Sequence, residues 1–295
     1  MSIEMLKEIG RRAFEEMWNR GNLSLIDEIY APDVIMHDVA GDFPGRDAYR
    51  QFVTLYRTAY PDIHFTVDDQ IAEGNLAVAR WSSTGTHKGE LMGIPPTGKR
   101  TVSGGIVLSR FEGRQIVEEW SYWDALGILQ QLGVVPTMGR TSFTWSEPSD
   151  VTGDPGDPEA NKAVIRRYDA EVWGKGKLEV LDEIMSPKVI GHEATTEHLL
   201  PQGLEGHKQA ITIYRTAFPD IHTSIENLIA EGDRVAERWR ATGTHKGELM
   251  GIPPTRREVT WEGMTIYRFA DGKIVEMWWA WDALGLLRQL GVVPG

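Results

Sequence analysis

Two aspartates stand at matching places in this 295-residue chain. Asp124 ends the run EEWSYWD and Asp282 ends EMWWAWD, and in both the next residues are the helix-forming ALG. Alternation along a strand puts Asp124 on one face with Trp120 and Tyr122, and Asp282 with Trp278 and Ala280. If that face lines an apolar cavity, lost hydration raises the carboxyl pKa. A carboxylate titrating near neutrality is a general base worth about 10² to 10⁴ in rate. Aspartate is also a preferred N-cap, and a helix starts immediately after each one, so capping alone accounts for both as well.

Three histidine pairs follow the same doubling: His37 with His192, His64 with His222, and His87 with His245. His37 and His192 lie on a short strand expected beneath helices, which suits a group that polarises or positions a carbonyl oxygen. His64 follows a turn. His87 and His245 end a strand at a loop, a position for the mouth of a cavity. A satisfied structural histidine is the alternative reading of each. Eight of the eleven tryptophans are also paired: Trp18 with Trp173, Trp81 with Trp239, Trp120 with Trp278, and Trp123 with Trp281. Such aromatics either fill a core or wall an apolar pocket. Arg80 and Arg238, beside two of them, and Glu118 and Glu276 read as cross-strand structural pairs.

Other chemistries are excluded or unsupported. With no cysteine there is no disulfide, thiolate nucleophile or Cys-ligated metal. HExxH and the dinucleotide and P-loop fingerprints are missing, so neither a metal nor a cofactor is expected. The formal charge of −12 divides evenly, 13 Lys and Arg against 19 Asp and Glu in residues 1–136 and 18 against 24 in the remainder. Neither half offers a basic face, so nucleic acid and anionic membrane are not expected partners. No run approaches the roughly 18 apolar residues of a membrane span, and a cytoplasmic protein is the expectation.

The elements that would hold these residues are written twice. GTHKGELMGIPPT at Gly85–Thr97 recurs unchanged at Gly243–Thr255, a period of about 158 residues, too long for a solenoid repeat of roughly 20 to 50. In the first copy, residues 2–20 read as an amphipathic helix with Met5, Ile9, Phe14, Met17 and Trp18 near one face. A short helix over 23–30, a brief strand over 33–38 and a helix over 45–60 follow. The period then changes to two, predicting strands 63–73, 75–87, 100–111 and 115–123 as a four-strand antiparallel meander, with a last helix from Asp124 to Gly133. This is an α+β domain. The domains are set at 1–136 and 159–295, joined by a Gly, Pro, Ser and Asp-rich linker at 137–158. An insertion, TTEHLLPQG, is expected to make the second pocket rim differ from the first.

The combination of PDIH, IAEG, GTHKGELMGIPPTGK and IVEEWSYWDALGILQQLG resembles the SnoaL-like polyketide cyclase family of the NTF2-like superfamily. The resemblance implies two tandem cone domains, each a curved antiparallel sheet covered by N-terminal helices. It also implies cofactor-free aldol ring closure, with an aspartate taking a proton from an activated methylene; Asp124 and Asp282 stand at the matching positions. Such cyclases are usually single domains that dimerise, so the tandem looks like a fused dimer, with further homo-oligomer formation left open. The expectation is a cofactor-independent enzyme of cyclase or isomerase type acting on a small apolar or aromatic carbonyl compound. Asp124 and Asp282 would be the bases, with His37 and His192 at the oxygen. His87, His245, Trp120, Trp278, Tyr122, Trp81, Trp239, Trp18 and Trp173 would contact the substrate. The alternatives are a non-catalytic small-molecule-binding module and a hydrolase or dehydratase of the same superfamily.

Overall fold

The structure is a computed structural model that describes residues 2–136, 145, 149–193, 202–249 and 251–293, the Glu193 side chain excepted. The middle of the linker and the rim insertion expected to distinguish the second pocket therefore lie outside the described residues. The chain divides into two compact units, Met1–Trp145 and Ser146–Gly295.

In the first unit, α1 (Ile3–Arg12) starts where Ser2 accepts from the Met5 amide, and it carries Glu4 in its first turn and Arg11 and Arg12 in its last, matching the helix dipole. It continues in wide π turns over Ala13–Asn19, which bring Phe14, Met17 and Trp18 inward together. Leu6 is the buried residue at the start of this helix; Met5, expected inside, is 36% exposed. After α2 (Leu25–Ile29) and β1 (Tyr30–Asp38) come β2 (Gly41–Pro44) and α3 (Gly45–Ala59). Tyr49, Phe52, Val53, Tyr56 and Ala59 recur at helical spacing on the buried side of α3. The remainder is β3 (His64–Glu73), β4 (Leu76–Thr86), β5 (Arg100–Glu112), β6 (Gln115–Trp123) and α4 (Ala125–Leu132).

The sheet order is β2-β1-β6-β5-β4-β3. The predicted meander is present as β3 to β6. Two features are added to it: the β1–β2 hairpin, and a parallel pairing of β1 with β6 that sets His37 opposite Trp120. Non-local pairing of this kind leaves no periodic trace, because period two reports which faces a strand has and not its neighbour. Bulges at Val67/Asp69 and Arg110/Phe111 bend the sheet. α1, its π turns and α3 cover one face, and the main core lies between.

The second unit repeats the order as α5 (Pro158–Arg167, extended by π turns to Trp173), α6 (Val180–Ile184), β7 (Met185–Glu193), α7 (Leu204–Ala217), β8 (His222–Glu231), β9 (Arg234–Thr244), β10 (Glu258–Ala270), β11 (Lys273–Trp281) and α8 (Ala283–Leu290). Its sheet is β7-β11-β10-β9-β8, again with the first strand parallel to the last.

The unchanged loop has a local explanation. The Lys88 and Gly89 amides both donate to Ala59 O, closing the C-terminal end of α3, and a Cβ on Gly89 would lie 2.5 Å from Thr58 O. Lys246 and Gly247 close α7 on Ala217 O in the same way. Either loop would lose its seat if its glycine carried a side chain.

Candidate active site

A cavity opens between the helices and the sheet of the first unit, lined by residues that run from Gly10 to Ile128. Phe14, Trp18, Phe52, Phe65 and Trp81 form its apolar wall, their rings packed edge-on or tilted 5 to 6.4 Å apart. Small side chains keep the space open: Gly10 and Ala13 on the helix side, and Ala77, Ala79, Ser103, Ser109 and Ser121 on the sheet floor. Among the described residues two carboxyl groups reach the lining, Asp38 and Glu119, and no Lys, Arg or His does.

Both acids are held from behind. Asp38 Oδ1 accepts from the Ala40 amide at 2.9 Å, and its Oδ2 accepts from Trp123 Nε1 at 2.9 Å. Glu119 Oε2 accepts from the Ser109 hydroxyl at 2.9 Å and its Oε1 from the Tyr49 hydroxyl at 3.3 Å, with Tyr30 Oη 3.1 Å beyond Tyr49 Oη. Burial pushes the Glu119 carboxyl up to about 7, opposed by the Ser109 and Tyr49 hydrogen bonds and reinforced by the Asp38 charge. Burial also raises the Tyr30 and Tyr49 phenols well above their ordinary range, so both are neutral donors. The Tyr56 hydroxyl and Ser103 Oγ line the cavity without a hydrogen-bond partner among the described residues.

Along β6 the lining residues are Glu119, Ser121 and Trp123, so the face carrying Glu118, Trp120 and Tyr122 is turned away from this cavity. The same holds on β1, where Met36 and Asp38 line it and His37 does not. Of the tryptophans singled out from sequence, Trp18, Trp81 and Trp123 reach the cavity wall. His37 is brought together with Trp120, stacked at 5.6 Å, and with Glu118 and Asp42 at 3.3 and 2.8 Å, on the opposite face. His192 repeats this, stacked on Trp278 at 5.1 Å and 2.8 Å from Glu276, which also takes a fork from Arg268 and the amide and hydroxyl of Ser149. His87 is fully buried, its Nδ1 accepting from the Thr97 amide, and burial lowers its pKa; His245 does the same with Thr255.

Asp124 is 4% exposed, and its Oδ1 accepts from the Gly127 amide at 2.7 Å. Asp282 accepts from Gly285 at the same distance, and burial raises its pKa. Glu119, Tyr49, Tyr30 and the three serines are the groups that sequence reasoning passed over. The signal for Glu119 and Ser121 is a parity along β6 opposite to that of Asp124, and parity alone does not say which face is inside.

The second interior has different contents. At the positions of Ala13, Ser103, Ser109 and Ser121 it carries Tyr168, Trp261, Tyr267 and Trp279, and in exchange Asp169, Ala210 and Thr223 replace Phe14, Phe52 and Phe65. Tyr168 and Tyr267 are buried with their rings 6.2 Å apart, and Trp279 lies over Gly191, where a Cβ would meet it at 2.7 Å. Hydrogen bonds run from the Tyr267 hydroxyl to Glu237 at 2.6 Å and between the Tyr168 hydroxyl and His207 at 2.8 Å. Burial pushes Glu237 up to about 8 and His207 down to about 4. Trp239, expected to contact substrate, donates its Nε1–H to Thr265 in this interior, and Trp173 packs against Tyr214.

Among the described residues no group of three or more His, Asp or Glu is placed to hold a metal ion, and no helix is long and apolar enough to cross a membrane. The nogalonic acid methyl ester cyclase of Streptomyces nogalater is 33% identical over 120 residues, 40% of this chain and 89% of its own length. The aklanonic acid methyl ester cyclase DauD of Streptomyces sp. (strain C5) is 29% identical over 134 residues, 43% of this chain and 80% of its own. Among solved structures, IdmH of Streptomyces antibioticus, described as a putative polyketide cyclase, is similar at 32% identity, covering 43% of this chain and 97% of itself with a TM-score of 0.39. A structure from Acidithiobacillus ferrooxidans with the same description is similar at 33% identity over 45% of this chain and 99% of itself, TM-score 0.41. The family model for SnoaL-like polyketide cyclase matches residues 8–132 and again 162–290, and with both units covered the chain belongs to that family.

Proposed function

We propose that the first unit is a ring-closing enzyme that works without a cofactor on a neutral aromatic carbonyl compound. The observation that carries this reading is the lining of its cavity: aromatic walls, a floor of hydroxyls and two carboxyl groups, with no cationic side chain among the described residues. A carboxylate substrate would meet like charge and no counter-ion there, whereas an ester or ketone meets donors from serine and tyrosine. The relatives named as methyl ester cyclases support this.

In this reading the enzyme removes a proton from a carbon flanked by carbonyls, and the resulting enolate carbon attacks a second carbonyl of the same molecule. One candidate for the base is Asp124, with Asp282 as its equivalent in the second unit. It is favoured by the low exposure of Asp124 between Trp123 and the helix whose Ile128 lines the cavity. The test is incubation with nogalonic acid methyl ester and with the free acid, following ring closure by NMR and binding by tryptophan quenching. Turnover of the ester and not of the acid is expected. Quenching without turnover establishes a binding module instead, and turnover preferring the acid removes the charge argument.

A further inference from the structure

Among the acids of the first unit, one lines the cavity while being hydrogen-bonded by hydroxyls alone. Glu119 receives a hydroxyl on each oxygen, Ser109 from β5 and Tyr49 from α3, and Tyr30 of β1 stands behind Tyr49. No cation pairs with it in these contacts, so its proton is not displaced by an Arg or Lys. Asp38, the other lining acid, is engaged instead by an amide and an indole N–H. Asp124 has an oxygen committed to the first turn of α4.

We propose that the Glu119 carboxyl is the group that takes the substrate's proton and gives it back, with Tyr49 and Tyr30 as the positioning residues that hold it. This rests on the cavity of the first unit being the reaction site. The ionised carboxyl accepts the proton from the activated carbon while the C–H electron pair becomes the enolate. The enolate carbon then bonds to the receiving carbonyl carbon, whose oxygen becomes an alkoxide. Glu119–COOH returns the proton to that oxygen, leaving the enzyme as it began. Nothing is oxidised or reduced, and no co-reactant is consumed. Ser109 and Tyr49 stabilise the ionised form, Tyr30 donates to Tyr49, and the neighbouring Asp38 charge opposes ionisation. The balance lets Glu119 act in both protonation states near neutral pH.

The second unit cannot repeat this arrangement, because its counterpart of Glu119 is Met277 and its buried acid, Glu237, comes from β9 at the position of Ala79. The inference therefore assigns the proton transfer to one unit alone.

The experiment follows deuterium uptake at C1 of 2-tetralone in D2O by proton NMR, with tryptophan quenching by the same ketone as the binding control. Wild-type protein is expected to exchange with a half-maximal rate near pH 7, rising with pH. Glu119→Gln should bind tetralone within about threefold of wild type and lose at least 100-fold in exchange. Glu119→Asp should restore part of the rate, and Tyr49→Phe, which removes a donor to the ionised form, should move the midpoint to higher pH. Exchange in Glu119→Gln within threefold of wild type, or an unmoved midpoint in Tyr49→Phe, overturns the inference and leaves the cavity reading standing. Should Glu119→Gln fail to fold, the Glu119→Asp rate and the Tyr49→Phe midpoint decide alone. Wild-type protein that binds tetralone without exchanging it overturns the enzymatic reading and this inference together.

Discussion

The carboxylate of Asp124 and the backbone of Gly127 are built for each other. Asp124 Oδ1 accepts the Gly127 amide at 2.7 Å, and a Cβ on Gly127 would sit 1.9 Å from Asp124 Oδ2. The second unit repeats both features with Asp282 and Gly285, at 2.7 and 1.9 Å. The WDALG motif is thus a cap and the space the cap needs. Alanine normally stabilises a helix interior by roughly 1 kcal/mol relative to glycine. Gly127→Ala should do the reverse, lowering the melting temperature by calorimetry because the carboxylate must leave its site. Asp124→Ala should cost about 1 kcal/mol in denaturant unfolding, and Asp124→Asn much less. A large activity loss in Asp124→Asn at unchanged stability would instead make Asp124 the base.

The larger side chains of the second interior can be moved into the first. Ser109→Tyr with Ser121→Trp gives the first unit the residues of the second at positions 267 and 279. The double variant should fold and lose at least tenfold in affinity for an aromatic ketone by tryptophan quenching. In wild type, titration should saturate at about one ligand per chain. Trp279→Ser, which empties the space over Gly191, should destabilise the second unit by about 3 to 5 kcal/mol without changing that binding.

Glu119 and Glu237 give stability a pH dependence of fixed sign. Each has a folded pKa above its unfolded value, about 7 and about 8 against 4.5. Protonation is therefore favoured by folding, and the stability they contribute is complete below about pH 4.5 and is lost as pH rises through 7 and 8 respectively. His207, His87 and His245, lowered from 6.5 by burial, act in the opposite sense below about pH 6.5, so denaturant unfolding of wild type should show the carboxyl loss above that pH. Glu119→Gln and Glu237→Gln should each flatten part of the curve, the second over the more alkaline part. Wild-type and Gln-variant curves of the same shape from pH 5 to 8 contradict both assignments.

The repeated loop is predicted to be a stability element. Gly89→Ala places a methyl group against Thr58 O, and Gly247→Ala places one against Thr216 O at 2.3 Å. Each should cost about 1 to 3 kcal/mol in chemical unfolding. The amides that close α3 and α7 should lose hydrogen-exchange protection in the same variants, while His87→Gln, which leaves the Gly89 seat intact, should keep the Lys88 and Gly89 amides protected.

The sequence by itself determined the doubled α+β architecture, since the 158-residue echo, the helical spacing of Tyr49, Phe52, Val53 and Tyr56, and the period-two runs are local patterns that each unit's packing obeys. It also marked Asp124 and Asp282 as helix starts, because a cap and its helix are neighbours in the chain. Tertiary structure decided which strand faces are inside. Parallel pairing with β1 and cover by α1 and α3 turn Glu119, Ser121 and Trp123 to the cavity and send His37 and Trp120 the other way, although Glu119 and Trp120 are neighbours in the chain. A period of two names two faces without ranking them; only the helices that bury one of them do. Tertiary structure likewise decided that the two copies differ inside, because whether Tyr267 and Trp279 fill a space or stand at a rim depends on what lies across from them, such as Tyr168 and Gly191 from distant parts of the chain.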